Sequence, residues 1–376
     1  MINYSLTTQR VATGSSYGAL PDDDHARVAV EAAIAKLDSE VTVGSVLLFL
    51  SSAYAHAPEN AIKLAAKAAA TPQIFGCCAM SLLTETEWLM DVEGAVAMAF
   101  PSDITLHPLK VLERLGVAPK SVLTLTSPNA ATIAVNSTKQ SQIGSISSDE
   151  FGHGPFSIWQ SGRIEEHEFS LTAFPETLSP HVLVADGVKR LSNNLHINLA
   201  ESHTLKQIDQ QSAFDSLPKP IREIAKTQPF KLLCAISETN DVRCLDQGYY
   251  KLHHLVSVDE HTGEVQLSGK PKAGRHLFWA IRDADEAEKS IQHQLLTLKQ
   301  TLIETKQQPL FALMFPNMGR GPEFFGGRDR DLDCFQGCFP DTPLIGFYGN
   351  GEITPGFKGK SLIKRYSTVI AIYTES

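Results

Sequence analysis

The sequence has little of what marks a membrane, secreted or nucleic-acid-binding protein. No stretch approaches the roughly 18 uninterrupted apolar residues of a membrane-spanning helix, and residues 1–16 are polar where a signal peptide would need an apolar segment. The 33 basic residues are outnumbered by 42 acidic ones, which leaves a net charge of −9. No chain-wide positive field therefore favours nucleic acid or an anionic membrane as a partner. We predict a cytoplasmic protein with neither of these partners.

Cysteine is scarce as well. Six cysteines in 376 residues are too few for a disulfide scaffold, and no C-x-x-C pair occurs. Cys77 and Cys78 are adjacent, and we consider either a partly exposed thiol that contacts a ligand or a small buried apolar group. Cys334 and Cys338 lie four positions apart, which predicts one helix face packed in the core.

Motifs for catalysis, nucleotides and metals are missing. The segment GRGPEFFGG lacks the Lys-Ser/Thr of a P-loop, and neither a G-x-S-x-G elbow nor an H-E-x-x-H motif is present. We therefore predict no enzyme, no catalytic residue and no metal site. Among 13 histidines, His153 between two glycines and His56 after an apolar run are the candidates for an open-site ligand. His254 falls on the apolar face of an alternating segment, which predicts a hydrogen-bonded core residue.

Apolar residues, in contrast, are plentiful and regularly spaced. They form 43% of the chain, enough for sizeable cores in two to three domains. Spacings of three or four predict helices over 24–38, after Pro58 and over 284–303, whereas alternation predicts strands over 250–258 and 276–282. A run at 45–50 predicts a further strand.

Three segments resemble one another, which indicates an internal repeat. Each places an apolar residue before a glycine (Gly76, Gly144, Gly346) and closes with an apolar run. A similar opening strand precedes each one, in the order SVLLFLSS, SVLTLTSP and PLFALMFP. The predicted unit is strand, linker, strand, glycine turn, strand. We therefore expect a two-part α/β or α+β protein, with mixed sheets flanked by helices, and a boundary in the proline-containing segment 215–230.

Such units bring their loops to shared sheet edges, where ligands bind beyond the carboxyl ends of strands. The candidate loops are Ser51–His56, Gly76–Ser81, Ser127–Asn129, Asn317–Gly321 and Phe347–Glu352. Arg320 and Glu352 have opposite charges that suit the carboxylate and amino group of an amino-acid-like ligand. A salt bridge between Arg320 and Glu352 that joins two loops is the alternative.

At these loops the chain resembles the FIST family, whose members combine an N-terminal FIST domain with a C-terminal FIST_C domain. The resemblance rests on IFGCCAMSLLTETEWLMD (Ile74–Asp91), on YYKLHHLVSVDEHTGEVQL, on WAIRDADEAEKSI, and above all on GRGPEFFGG followed by PLIGFYGNGEITP. It implies a FIST domain over 25–222 and a FIST_C domain over 223–374.

The resemblance also implies ligand-binding positions. These are Gly76, Cys77, Gly319, Arg320, Gly349, Gly351 and Glu352, to which the predicted loops add Ser51, Asn317 and Asn350. Two departures put the ligand in doubt. Relatives often have cysteine at position 317, and a G-x-R-P-x-G-P-like element where this chain has GVKRLSN (Gly187–Asn193).

The function implied is a cytoplasmic small-ligand sensor of bacterial signal transduction, without a cofactor, acting through a histidine kinase or a cyclic-dinucleotide enzyme. Amino acids are the expected ligand class. One alternative is a haem-binding nitric oxide sensor, with His153 or His56 as the haem ligand, because some relatives bind haem. Another is a protein-interaction scaffold without a ligand, which a closed pocket and an apolar outer surface would favour; a eukaryotic member of the family is an F-box ubiquitin-ligase subunit.

Overall fold

A computed structural model describes residues 9–149 and 152–375 and shows a mixed α/β protein in which helices flank mixed sheets, as predicted. Residues 1–8, half of the segment expected to lack a signal peptide, lie outside the described residues. The α-helices are α1 (Asp24–Ile34), α2 (Glu59–Ala69), α3 (Leu109–Arg114), α4 (Ala131–Asn136), α5 (Arg222–Thr227), α6 (Arg243–Asp246), α7 (Ala284–Thr305) and α8 (Arg330–Cys338).

The strands fall into two sets along the chain. Those before residue 175 are β1 (Ala12–Gly18), β2 (Val43–Ser51), β3 (Ile74–Ala79), β4 (Ser81–Thr84), β5 (Trp88–Leu89), β6 (Glu93–Pro101), β7 (His107–Pro108), β8 (Val122–Thr126), β9 (Gln142–Ile146), β10 (Ile158–Gln160), β11 (Arg163–Ile164) and β12 (Phe169–Ala173). Those after it are β13 (Leu178–Asp186), β14 (Val188–Arg190), β15 (Leu195–Glu201), β16 (Thr204–Ile208), β17 (Gln211–Ser212), β18 (Leu232–Ser237), β19 (Tyr250–Asp259), β20 (Glu264–Leu267), β21 (His276–Arg282), β22 (Pro309–Pro316), β23 (Leu344–Tyr348), β24 (Gly351–Pro355), β25 (Ser361–Lys364) and β26 (Ser367–Glu375).

The segments with helical or alternating apolar spacing form the predicted helices and strands. Helix α7 buries the five apolar residues spaced at three or four, and it begins where the Asp283 side chain accepts a hydrogen bond from the Glu286 N–H at 3.0 Å. Helix α1 ends at Ile34, four residues before the predicted limit. Strands β2, β19 and β21 cover the other predicted segments.

The predicted repeat corresponds to three strand–helix–strand units. In each unit two parallel strands are joined by a helix, as in β2-α2-β3, β8-α4-β9 and β22-α8-β23. A later strand then pairs antiparallel with the opening strand: β6 with β2, β12 with β8, and β26 with β22. The units therefore share one topology.

The repeated glycines do not form turns, which corrects the prediction. Gly76, Gly144 and Gly346 lie within β3, β9 and β23, opposite the equivalent residue of the parallel neighbour. A Cβ atom at these positions would lie 1.8, 1.9 and 1.6 Å from the carbonyl oxygen of that neighbour. The glycines thus allow a close backbone approach inside each parallel pair.

The three units exchange strands in a cycle. Strand β4 follows the first unit's β3 but pairs with β23 of the third unit. Strand β24 of the third unit pairs with β9 of the second, and β10 of the second unit pairs with β3 of the first. At the crossing, Ser148 Oγ donates to the Tyr348 carbonyl at 2.6 Å and Asn350 N donates to the Ile146 carbonyl at 2.9 Å. Each sheet therefore depends on another unit for a strand.

One apolar core fills the space between these three sheets, because alternate residues of their strands point inward. Helices α1 and α2 pack on the outer face of the first sheet, and α7 and α8 pack on that of the third. Cys77 belongs to the central core, whereas Cys78 faces the helices. Cys334 and Cys338 pack in the α7/α8 layer as predicted.

A fourth sheet, with the order β14-β21-β15-β16-β20-β19-β18, is formed by residues between β13 and α7. Its strands β14, β15 and β16 pair with β21 and β20 across the predicted boundary at 222/223. That boundary therefore falls inside a sheet, and the division into 25–222 and 223–374 stays a prediction about sequence families. Among the described residues, no helix has the length and apolar character needed to cross a membrane.

Candidate functional site

A pocket of about 610 Å³ opens beside the carboxyl ends of β8 and β22, and we call it the Arg365 pocket. It is lined by Pro128, Ala131, Thr132, Ile146, Gly152, Asn317, Met318, Gly319, Asn350, Ile363, Arg365 and Tyr366. Three of the five predicted loops contribute to this lining, those at Ser127–Asn129, Asn317–Gly321 and Phe347–Glu352. The loops at Ser51–His56 and Gly76–Ser81 do not.

Backbone hydrogen bonds hold two of these loops side by side. Met318 N donates to the Gly349 carbonyl at 2.8 Å, and Gly349 N donates to the Pro316 carbonyl at 2.8 Å. Gly349 is needed there, because a Cβ atom would lie 1.9 Å from Ser145 Oγ. Gly351 begins β24, opposite Ile146. These two glycines therefore shape the pocket wall without lining it.

Below the pocket lies a buried acid, Glu352, which is 0% exposed. Asn317 Nδ2 donates to Glu352 Oε1 at 2.8 Å, while Ser367 donates to Oε2 from its hydroxyl at 2.6 Å and from its backbone N–H at 3.2 Å. Burial raises the pKa of Glu352 to about 8, although these hydrogen bonds oppose the increase. Asn317 thus connects the pocket lining to a carboxyl group whose pKa is raised to about 8.

Arg320 is buried as well and has its own partner. Its side chain is 1% exposed and binds Asp331 through Nε at 2.6 Å and Nη2 at 3.0 Å. Its remaining hydrogen bonds go to the carbonyls of Ala185 (3.1 Å) and Ala287 (3.0 Å). Arg320 therefore ties the third unit to β13 and α7.

These contacts correct both hypotheses for Arg320 and Glu352. Neither side chain lines the pocket, and the two do not bridge each other, because Asp331 takes the guanidinium while Asn317 and Ser367 take the carboxyl group. At the start of α8, Tyr348 donates a hydrogen bond to Asp329, and burial raises the pKa of Asp329 to about 6.

The positive charge at the pocket comes from Arg365, in the turn between β25 and β26. Arg365 is exposed, and no carboxylate of residues 9–149 and 152–375 lies within ion-pair distance of it. Arg282 lies behind it, donating to the Gly319 carbonyl and stacking over the Tyr366 ring at 4.9 Å. Burial lowers the pKa of Arg282. The pocket thus has an available guanidinium and a second one close by.

Tyr366 has a backbone φ of 59°, in the left-handed region. Such a conformation is costly for a bulky residue, and here it forms the tight turn between β25 and β26. Its ring packs against Gly319, where a Cβ atom would lie 3.2 Å from Tyr366 Cε1, and its hydroxyl bonds His254 Nε2. Gly319 therefore leaves space for the ring.

His254 is only partly buried, which differs from the expected core position. A register shift between Leu255 and Ser257 breaks the alternation of β19, so the face predicted as apolar exposes Val256. His254 is nevertheless hydrogen-bonded, to Tyr366 and to the Phe230 carbonyl at 2.9 Å.

The first unit's predicted site residues lie away from the pocket. Ser51 is buried, accepts a hydrogen bond from Gly94 N at 3.1 Å and donates to Glu93. Gly76 and Cys77 are internal to β3, and burial raises the pKa of the Cys77 thiol well above its usual value. Of the ten predicted ligand-binding residues, the structure brings together Asn317, Gly319 and Asn350 at the pocket.

The two histidines named for haem do not suit an axial ligand in an enclosed pocket. His56 and His153 are exposed on different loops, and neither lines the Arg365 pocket. Within the described residues, no group of three or more His, Cys, Asp or Glu side chains is arranged to hold a metal ion. The lack of a cofactor stays a prediction.

A wider depression of about 820 Å³ is lined by residues 190–194 and Asp246. It includes part of GVKRLSN, the segment where the chain departs from the family pattern. Its cation, Arg190, already pairs with Asp246 at 3.1 Å and donates to the Leu245 carbonyl at 2.7 Å. Because Arg190 already has these partners, it suits an anionic ligand less well than Arg365 does.

The sequence reasoning missed Arg365, Tyr366 and Thr132. The available signal was the dipeptide Arg365-Tyr366 between two apolar alternating runs, which is a tight hairpin position. Glycine density, on which the predicted loops depend, marks close backbone packing as well as loops.

Residues 213–355 match the family model of the FIST C domain, which confirms the resemblance over that segment. Uncharacterised proteins of Mycobacterium bovis and Mycobacterium tuberculosis are each 26% identical over 129 residues, covering 34% of this chain and 32% of theirs. F-box only protein 22 of Pongo abelii is 32% identical over 81 residues, covering 18% of this chain and 20% of that protein. The chain thus spans about a third of the length of the mycobacterial relatives. Arg365 and Tyr366 follow the matched domain segment.

Proposed function

We propose that this chain, which carries a FIST C domain, is a small-ligand-binding sensory protein whose ligand holds an anionic group against Arg365. The observation that carries the proposal is the Arg365 pocket itself, where loops of the second and third units meet around an arginine that no described carboxylate neutralises. A guanidinium without a carboxylate partner among the described residues, beside a concave, half-apolar surface, suits a carboxylate with a small organic body.

An amino acid meets these requirements. Its carboxylate would bind Arg365, while its amino group would face polar acceptors of the pocket lining. Asn350 donates through Nδ2 to the Ser147 carbonyl at 3.2 Å, so its amide oxygen is the atom that could accept from the ligand. Thr132 lines the same pocket and has a hydroxyl. Ile146 and Ile363 supply apolar surface. We therefore keep amino acids as the proposed ligand class, with Arg365 replacing Arg320 as the proposed carboxylate-binding residue.

We also propose that the bound state is passed to a signalling protein, such as a histidine kinase or a cyclic-dinucleotide enzyme, in the cytoplasm and without catalytic turnover. The FIST resemblance supports the partner class. Burial raises the pKa of the Cys77 and Cys78 thiols, which disfavours the nucleophilic thiolate. The net charge of −9 supports the lack of a nucleic-acid or membrane partner.

Calorimetric titration with a panel of amino acids tests the proposal. We expect at least one to bind wild-type protein and to bind Arg365→Gln about ten- to hundredfold more weakly, because a hydrogen bond to a charged group contributes about 1.5–3 kcal/mol. Arg163→Gln is the matched control, since Arg163 is also exposed but lies on β11 outside the pocket. No binding by any amino acid, or equal weakening in both variants, would refute the assignment.

A further inference from the structure

A second cavity, of about 250 Å³, lies between α3 and the strands β10 and β12, and we call it the Gln160 cavity. Leu109, Phe169 and Leu171 give it an apolar surface, while Gln160 and Glu165 supply polar atoms. It shares no lining residue with the Arg365 pocket. The two sites can therefore be tested separately.

The Gln160 amide has an acceptor without a partner. Its Nε2 donates to Glu165 Oε1 at 3.3 Å, but its Oε1 is buried and has no hydrogen-bond partner among the described residues. Rotating the amide would place its oxygen against the carboxylate, so the bond to Glu165 fixes the orientation. A buried acceptor left unsatisfied costs about 1–3 kcal/mol, which a ligand donor would recover after a small shift of the Gln160 side chain toward the cavity.

Glu165 adds a partly buried carboxylate to the same wall. No ion pair joins it to a lysine or arginine within the described residues, although the charges of Lys110 and His167 act on it. Burial is the main cause that raises its pKa. A cation that neutralised the carboxylate would therefore be favoured at this position.

We propose that the Gln160 cavity binds a small primary amine with an apolar body. The ammonium group has three donors, enough for Gln160 Oε1 and Glu165 together, and the apolar part would contact Leu109, Phe169 and Leu171. A volume of about 250 Å³ equals that of about eight water molecules, which is enough for a ligand of roughly the size of phenethylamine.

Two kinds of ligand have an ammonium group and an apolar body. One is a simple amine, and the other is an apolar amino acid whose carboxylate would face Lys110 of the cavity lining. Calorimetric titration at pH 7 with phenethylamine, phenethyl alcohol and L-phenylalanine separates them. We expect phenethylamine to bind and the neutral alcohol, which lacks the ammonium, to bind at least tenfold more weakly. If L-phenylalanine also binds and Lys110→Met removes only that binding, the amino acid is the source. If L-phenylalanine does not bind, the source is the simple amine.

Variants locate the site. Glu165→Gln should weaken phenethylamine binding at least tenfold, whereas Glu166→Gln, the exposed neighbour, should leave it unchanged. Gln160→Met, which keeps the size of the side chain but removes the acceptor, provides a second test if Glu165→Gln melts early. Arg365→Gln should retain amine binding, so that failure here is distinct from failure of the proposed function. No heat with phenethylamine, or equal affinity in Glu165→Gln and Glu166→Gln, would overturn the inference.

Discussion

At the residue scale, the buried Glu352 is an ionisable group that contacts the pocket lining through Asn317. Its three hydrogen-bond donors, from Asn317 and Ser367, favour the carboxylate, but burial outweighs them and raises the pKa to about 8. Asn317 also holds the Gly319 N–H through Oδ1 at 3.0 Å. Ionisation of Glu352 therefore acts on a side chain that shapes the pocket.

The raised pKa predicts a pH dependence of stability. Because the folded protein holds the Glu352 proton more tightly than the unfolded chain, this contribution is complete below pH 4.5 and is lost as the pH rises to about 8. We expect the free energy of unfolding of wild-type protein, relative to Glu352→Gln, to fall in that window by up to about 1.4 kcal/mol per pH unit. Urea unfolding from pH 4.5 to 9 measures it. Glu59→Gln, at the exposed start of α2, is the control, and parallel profiles for wild type and Glu352→Gln would contradict the prediction.

The sequence could predict that Asn317, Gly319 and Asn350 lie near one another, because loops of related units meet at sheet edges. It could not predict the partner of Arg320. Asp331 lies only 11 positions away, but its pairing depends on how α8 begins after the glycine-containing segment 319–327. Arg365 was missed for a similar reason, since its distance from the carboxylates of residues 9–149 and 152–375 is a property of the folded surface.

At the element scale, the repeated glycine is the feature that joins sequence to structure. Its recurrence identified the three units correctly, yet its role differs from the one predicted. A glycine in an apolar run is compatible with a turn and with close strand packing, and only the parallel partner decides between them. The strand exchange among β4, β10 and β24 lies beyond local sequence signals altogether, because it depends on contacts between distant units.

Close packing at Gly346 predicts a large stability effect. Gly346→Ala would place a Cβ atom 1.6 Å from the Met314 carbonyl oxygen, so the strands must separate, at an expected cost of about 3 kcal/mol or more. Gly337→Ala is the matched control, since it lies in α8 with no atom near its Cβ position and should stabilise the helix by about 0.5–1 kcal/mol. Thermal melts compare the two. Equal melting temperatures would contradict the packing account.

At the scale of the whole molecule, the exchanged strands make the units interdependent. A break at 222/223 would separate β4 from β23, β9 from β24 and β13 from β26, and it would also divide the fourth sheet. Each fragment would expose apolar core surface that the other now covers.

Fragments 1–222 and 223–376 are therefore expected not to unfold cooperatively on their own. Circular dichroism melts of each fragment, beside the full chain, measure this. A mixture of the two that regains a cooperative transition would support interdependence. Two fragments with independent, reversible transitions would show instead that the predicted 25–222 and 223–374 domains are separate folding units.

The central claim is that an anionic small ligand occupies the Arg365 pocket. The most direct measurement is a crystal structure of the protein grown with the amino acid that binds best by calorimetry. We predict ligand density beside Asn317, Asn350 and Tyr366, with the carboxylate within hydrogen-bond distance of the Arg365 guanidinium. Ligand density elsewhere, with the Arg365 pocket filled only by solvent, would contradict the account.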